Sequence, residues 1–223
     1  MKKTKIICTL GPAVDNPDVL EKLILAGMDV ARINFSHGNY KDQEARIENF
    51  KKVREKVGKP VALLLDTKGP EIRIGKFENG EIELREGAIF TLVDEDILGD
   101  QTRVSITYKN LYKEINVGTQ ILINDGLIKI EVVEIKEKDI ICKVIDGGPL
   151  TNSKSINIPG MVINLPSPTD KDIEDIEFGI KAGFDYIAAS FVRTPEDVLN
   201  IRKVLEENNG EHIKIISKIE NRQ

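Results

Sequence analysis

The chain has 223 residues, 40% apolar and 31% charged, with a formal net charge of −5. These values describe one or two folded globular domains and exclude collagen-like or disordered classes, while the acidic excess argues against a dedicated nucleic-acid binder, whose footprint is basic. No stretch approaches the ~20 apolar residues of a membrane span, and Cys8 and Cys142 stand far apart in apolar surroundings, as small buried hydrophobes do.

The basic start Met1-Lys2-Lys3-Thr4 meets Gly11-Pro12 without a small-residue cleavage site, so a reducing cytoplasm with no membrane partner is expected. Lys5–Leu10 is a short apolar run, predicted as a strand. Asn16-Pro17-Asp18 supplies an N-cap, a proline at the first helical position and an early acid, and Val19, Leu20, Leu23 and Ile24 keep helical spacing up to a C-cap at Gly27. Val30–Phe35 reads as a second strand, Tyr40–Val57 as a long amphipathic helix and Val61–Leu65 as a third strand. Apolar strands alternating with helices predict a parallel sheet.

After Pro70 the helical spacing disappears. Glu81–Arg85 and Ile128–Val132 alternate polar and apolar residues, and Asn79-Gly80, Asp125-Gly126 and Gly147-Gly148 mark turns. A small antiparallel β-barrel domain inserted into an α/β domain is therefore predicted, giving segments 1–69, 70–167 and 168–223. Beyond Pro168 the first texture returns: Thr169 with Asp172 makes a capping box with Asp in place of Glu, Ala182–Phe191 echoes Ala26–Phe35, Thr194-Pro195-Glu196-Asp197 opens another helix, and Ile213–Ile219 is a fifth strand. Such a repeat suits a (β/α)8 TIM barrel, and a doubly wound sheet as well. About five of the eight barrel strands are present, so the chain reads as truncated.

Ligands of such sheets bind at the C-terminal strand ends, and the polar residues cluster there: Arg32 and Asn34, then Asp66-Thr67-Lys68, then Ser190, then Lys218 and Glu220. Singly each has a structural alternative, as ion-pair residue, turn former or solvated strand end. Together, two guanidiniums counting Arg73, an amine and carboxylates suit a phosphorylated, carboxylated substrate held by metal ions. Lys218 and Glu220, two apart on a strand, are expected to share one face.

The stretches Thr4–Pro12, Arg32–Gly38, Asp66–Arg73, Ile158-Pro159-Gly160, Asn164-Leu165-Pro166 and Ser217–Asn221 together resemble pyruvate kinase in wording and order. The resemblance implies that Arg32 and Arg73 hold phosphate oxygens; that Asn34, Ser36, Asp66 and the Thr67 carbonyl ligate K⁺; and that Glu220 ligates Mg²⁺ or Mn²⁺. It implies that Lys218 stabilises the transferring phosphoryl group and the enolate, and that His37 and Lys171 lie near the nucleotide. Glu71 matches the potassium-dependent members. The implied reaction is phosphoryl transfer from phosphoenolpyruvate to ADP, giving pyruvate and ATP, in a cytoplasmic homotetramer when full length. The chain alone would be an incomplete fragment, because a second acidic magnesium ligand lies beyond its terminus in the family pattern. The alternatives are a catalytically inactive anion- and cation-binding fragment, or another phosphoenolpyruvate- or pyruvate-handling barrel such as an aldolase or lyase.

Overall fold

A computed structural model describes residues 3–36, 38–161 and 165–220. Two compact units emerge, Met1–Pro70 with Leu165–Asn221, and Glu71–Asn164. In chain order the first opens with β1 (Ile7–Thr9), α1 (Pro17–Ala26), β2 (Val30–Asn34), α2 (Tyr40–Val57) and β3 (Ala62–Asp66). The second follows with β4 (Ile72–Arg73), β5 (Glu81–Leu84), β6 (Ile89–Val93), β7 (Arg103–Ser105), β8 (Gln120–Ile123), β9 (Ile128–Lys136), β10 (Asp139–Asp146), β11 (Gly148–Thr151) and β12 (Ser155–Asn157). The chain then returns to the first unit through α3 (Asp170–Lys181), β13 (Tyr186–Ala189), α4 (Pro195–Glu207) and β14 (Lys214–Ser217).

The helices begin where local chemistry demands. The Asn16 side chain accepts from the Asp18 amide at 2.8 Å, Asn39 caps α2 through the Asp42 amide, and Thr169 and Thr194 each form a complete capping box with Asp172 and Asp197. α1 and α2 stop at glycines in the left-handed conformation, Gly27 at φ 113° and Gly58 at φ 67°, where a side chain would be strained. Gly183, at φ 68°, makes the corresponding turn before β13.

The first unit is a five-stranded, wholly parallel sheet in the order β1-β2-β3-β13-β14, a partial (β/α)8 barrel. In β2 burial alternates: Ala31 and Ile33 enter a core shared with Ile24, Phe50, Leu63, Leu65, Phe184 and Leu205, leaving Arg32 and Asn34 on the opposite face. Each such buried aliphatic or aromatic side chain stabilises the fold by about 1.5–3 kcal/mol. The two edge strands depart from the expected both-face burial, since Ile7 and Ile216 are exposed. β1 is also shorter than the apolar run Lys5–Leu10, because only Ile7, Cys8 and Thr9 find ladder partners, all on β2.

In the second unit the sheet β4-β12-β8-β9-β10-β6-β7 is joined edge to edge by an Ile74–Ile106 bridge, so it closes on itself. Its β texture continues past Val144 to Asn157, and β6 with β7 is a parallel pair within an otherwise antiparallel ladder. β5 pairs separately with β11. Phe90, Leu92, Val104, Ile121, Ile130, Ile140 and Cys142 are fully buried.

Burial pushes the Cys142 thiol up to about 12, so at pH 8 it is neutral as well as shielded. A native titration with a thiol reagent at pH 8 should therefore find at most one reactive cysteine, and two after denaturation; two fast native reactions would contradict this placement. Among the described residues no helix is long and apolar enough to cross a membrane.

Candidate active site

Asp66 organises the C-terminal ends of the five strands. It closes β3, level with Asn34 of β2 on one side and Ala188 of β13 on the other. Its side chain is only 3% exposed, and a carboxylate so placed needs cations and donors around it. Oδ2 alone accepts both Nε, at 2.7 Å, and Nη2 of Arg32, while Oδ1 accepts Lys218 Nζ at 3.1 Å. Arg32 Nη1 donates in turn to Thr9 Oγ1 at 2.6 Å.

Ser190, buried at the end of β13, ties this cluster to the neighbouring turn. Its hydroxyl donates to the Thr67 carbonyl at 2.6 Å and accepts from Lys218 Nζ at 2.8 Å, and its amide donates to Thr67 Oγ1 at 3.2 Å. Lys218 and Glu220 lie just past β14 and not on it, yet Nζ and Oε1 stand 3.2 Å apart. The segment after β14 is held alongside the end of β13: the Lys218 amide donates to the Ala189 carbonyl at 2.9 Å, Glu220 Oε2 accepts the Phe191 amide at 2.9 Å, and the Lys218 carbonyl accepts the Val192 amide at 3.1 Å. Phe191 itself sits at φ 55°, a region costly for an aromatic residue and held here by the bonds from its own amide and the Val192 amide.

The four charged groups of this cluster, Arg32 and Lys218 against Asp66 and Glu220, sum to zero. Arg32 and Lys218 each keep 31% of the side chain exposed, so both can reach a ligand. A phosphorylated ligand would add negative charge that the cluster does not already balance.

The donors suit hard cations in kind. Asn34 Oδ1, which accepts the Ser36 amide at 2.9 Å, the Ser36 hydroxyl, Asp66 and the Thr67 carbonyl are oxygens at the adjacent ends of β2 and β3, mostly neutral, as a monovalent ion requires. For a divalent ion the chain offers the Glu220 carboxylate; no group of three or more His, Cys, Asp or Glu placed to hold a metal occurs among the described residues. Such a site fits Mg²⁺ only where the substrate brings further oxygens.

The other predicted residues fall elsewhere. Arg73 and Glu71 belong to the second unit, where they pair at 2.7 Å while Arg73 Nη1 donates to the Ser153 carbonyl at 2.5 Å. Lys171, in the first turn of α3, joins Asp175 and Tyr40. His37, with Asn164 and Asn221 of the motif stretches, lies outside the described residues. Three participants escaped the sequence reading. Thr9 ends β1, level with Arg32 on β2, so the strand-end rule would have found it; Asp175 is four residues after Lys171, on the same helix face; Asp172, read only as a cap, also accepts the Gly69 amide at 2.9 Å.

The family described as pyruvate kinase, barrel domain, matches residues 1–223. Proteins named pyruvate kinase are similar along the whole chain: that of Bacillus licheniformis is 48% identical over 225 residues, that of Geobacillus stearothermophilus 49% over 224, and that of Clostridium acetobutylicum 50% over 224. The chain spans 38% of the length of the first two relatives and 47% of the third. With its strand-end cluster and whole-length similarity, the chain belongs to the pyruvate kinase family.

Proposed function

We propose that this chain supplies the phosphoenolpyruvate-binding and phosphoryl-transfer groups of a pyruvate kinase. The observation that carries the reading is the buried Asp66 carboxylate holding Arg32 and Lys218 side by side at the strand ends. In phosphoryl transfer the protein has little covalent work, and rate comes from positioning and from neutralising charge on the moving oxygens. Arg32, oriented by Asp66 and Thr9, would present its guanidinium to phosphate oxygens, with Arg73 as a second contact. The bond between phosphorus and the enol oxygen breaks as an oxygen of the ADP β-phosphate takes the phosphoryl group. Lys218 would stabilise first the transferring group and then the enolate, and protonation of the methylene carbon gives pyruvate.

Asn34, Ser36, Asp66 and the Thr67 carbonyl would hold K⁺, with Glu71 marking the potassium-dependent kind, and Glu220 would hold Mg²⁺ or Mn²⁺. When bound, these ions would supply the positive charge that the neutral cluster lacks. His37 and Lys171 would contact the nucleotide. The β unit, inserted between β3 and α3 with Pro70 and Pro166 as its hinges, would act as a lid that keeps water from replacing ADP. A cytoplasmic, homotetrameric, glycolytic enzyme completes the reading.

The test is an assay of pyruvate formation from phosphoenolpyruvate and ADP by the intact gene product, with Mg²⁺, in K⁺ and in an equal concentration of Na⁺. Turnover rising at least about tenfold in K⁺ is expected, on the order of one lost electrostatic contact to the transition state. Turnover indifferent to the ion would overturn the K⁺ assignment. Substrate binding without any turnover would reduce the chain to an anion-binding module.

A further inference from the structure

Lys171 is held by two groups that the reading above does not use. Its ammonium donates to Asp175 Oδ1 at 2.6 Å and to the Tyr40 hydroxyl at 2.5 Å, and that hydroxyl donates to the same carboxylate oxygen at 2.7 Å. The Tyr40 ring also faces the ammonium, 4.1 Å from Nζ to its centroid, and is stacked on Phe178 at 5.0 Å. The three residues close a ring of polar contacts between the starts of α2 and α3.

The carboxylate in this ring is an expensive choice. The Asp175 side chain is 0% exposed, and its Oδ2 has no hydrogen-bond partner. Burial raises its pKa more than the bonds from Lys171 and Tyr40 lower it. An asparagine would fill the same space and accept the same tyrosine proton at less cost to the fold. What the charge adds is a grip on Lys171, whose pKa burial would lower but whose bonds to Asp175 and Tyr40 raise it on balance. The lysine remains 49% exposed, and two of its three N–H donors are spent inside the ring. Glu174 Oε2, at 3.9 Å, is beyond hydrogen-bond reach.

We propose that Asp175 and Tyr40 are positioning residues that fix the Lys171 ammonium, with its third donor outward, as a preorganised contact for an anionic oxygen of the nucleotide. The proposal rests on the assignment of Lys171 to the nucleotide made above. A free lysine loses rotamer freedom when it binds; here that loss is taken during folding, so affinity gains without a new contact.

The test compares Lys171→Ala, Asp175→Asn, Tyr40→Phe and the double variant Lys171→Ala/Asp175→Asn in the intact gene product, by steady-state kinetics and by calorimetric titration with ADP and Mg²⁺. Asp175→Asn is expected to raise the Kd and KM for ADP about threefold to tenfold, the range for releasing one ordered side chain. The KM for phosphoenolpyruvate and kcat should stay within about twofold, and the melting temperature should not fall. Tyr40→Phe should shift ADP affinity the same way by less, and carries the test if the aspartate variant does not fold. The double variant should bind ADP no more weakly than Lys171→Ala alone. An Asp175→Asn loss that multiplies the Lys171→Ala loss, or one that falls on kcat and both KM values together, would overturn the positioning role. An unchanged ADP affinity in Lys171→Ala would instead overturn the placement of the nucleotide, and the proposal with it.

Discussion

Lys218→Met is expected to reduce kcat for phosphoryl transfer by about 10³-fold or more, the scale at which a single cation aimed at transition-state charge contributes. Methionine keeps most of the stem length and removes the charge that stands 2.8 Å from Ser190 Oγ, 3.1 Å from Asp66 Oδ1 and 3.2 Å from Glu220 Oε1. The protein should still fold, because Asp66 retains its two charge-assisted bonds from Arg32. The KM for phosphoenolpyruvate should change much less than kcat, since the arginine contacts remain. Single-turnover kinetics on a variant with native circular dichroism would check this, and a kcat within about tenfold of wild type would refute the role given to Lys218.

Gly69→Ala should damage stability and the site together. Gly69 sits at φ 71°, and a Cβ there would stand 2.7 Å from the Ser190 carbonyl oxygen and 2.9 Å from Ser190 Cβ. The left-handed conformation alone costs an alanine about 1–2 kcal/mol, and backbone crowding of this kind adds about 1–3 kcal/mol. A total of about 2–5 kcal/mol is expected in denaturant unfolding of the first unit. The cheapest relief is for Ser190 to move, which would break its bonds to Thr67 and withdraw its hydroxyl from Lys218. Activity should therefore fall even at temperatures where the variant remains folded. A variant with wild-type stability and full activity would show that the close approach of these two backbones is not needed.

Features governed by neighbours in the chain were legible in advance. The helix Tyr40–Val57, the Asn16-Pro17-Asp18 start and the Thr169–Asp172 box depend on contacts two to four residues apart, and the structure forms each of them. The alternation of Ile128, Ile130 and Val132 likewise became the buried face of β9. What was not legible depends on register between distant strands. Nothing near Thr9 announces Arg32 as its partner, and the closure through Ile74 and Ile106 joins residues with no common local pattern. The meeting of Lys218 and Glu220 was anticipated from strand periodicity; the structure ends β14 at Ser217 and brings the pair together beside Phe191 and Val192. The family resemblance pointed to the strand-end residues but was silent on Asp175, whose burial only the three-dimensional arrangement reveals.

The pairing of β4 with β12 has a kinetic consequence. Arg73 opposes Ser155 and Ile72 opposes Ile156, so the β unit begins and ends at the same place. β3 and β13 must pair across that whole insertion, and closing so long a flexible loop is entropically slow. Each halving of the effective loop saves about 0.6 kcal/mol, so a β unit that folds first lowers the closure cost by roughly 1 kcal/mol. During synthesis it also leaves the ribosome before α3 does. The insertion thus shortens the loop that the parallel sheet must close once its own ends have paired.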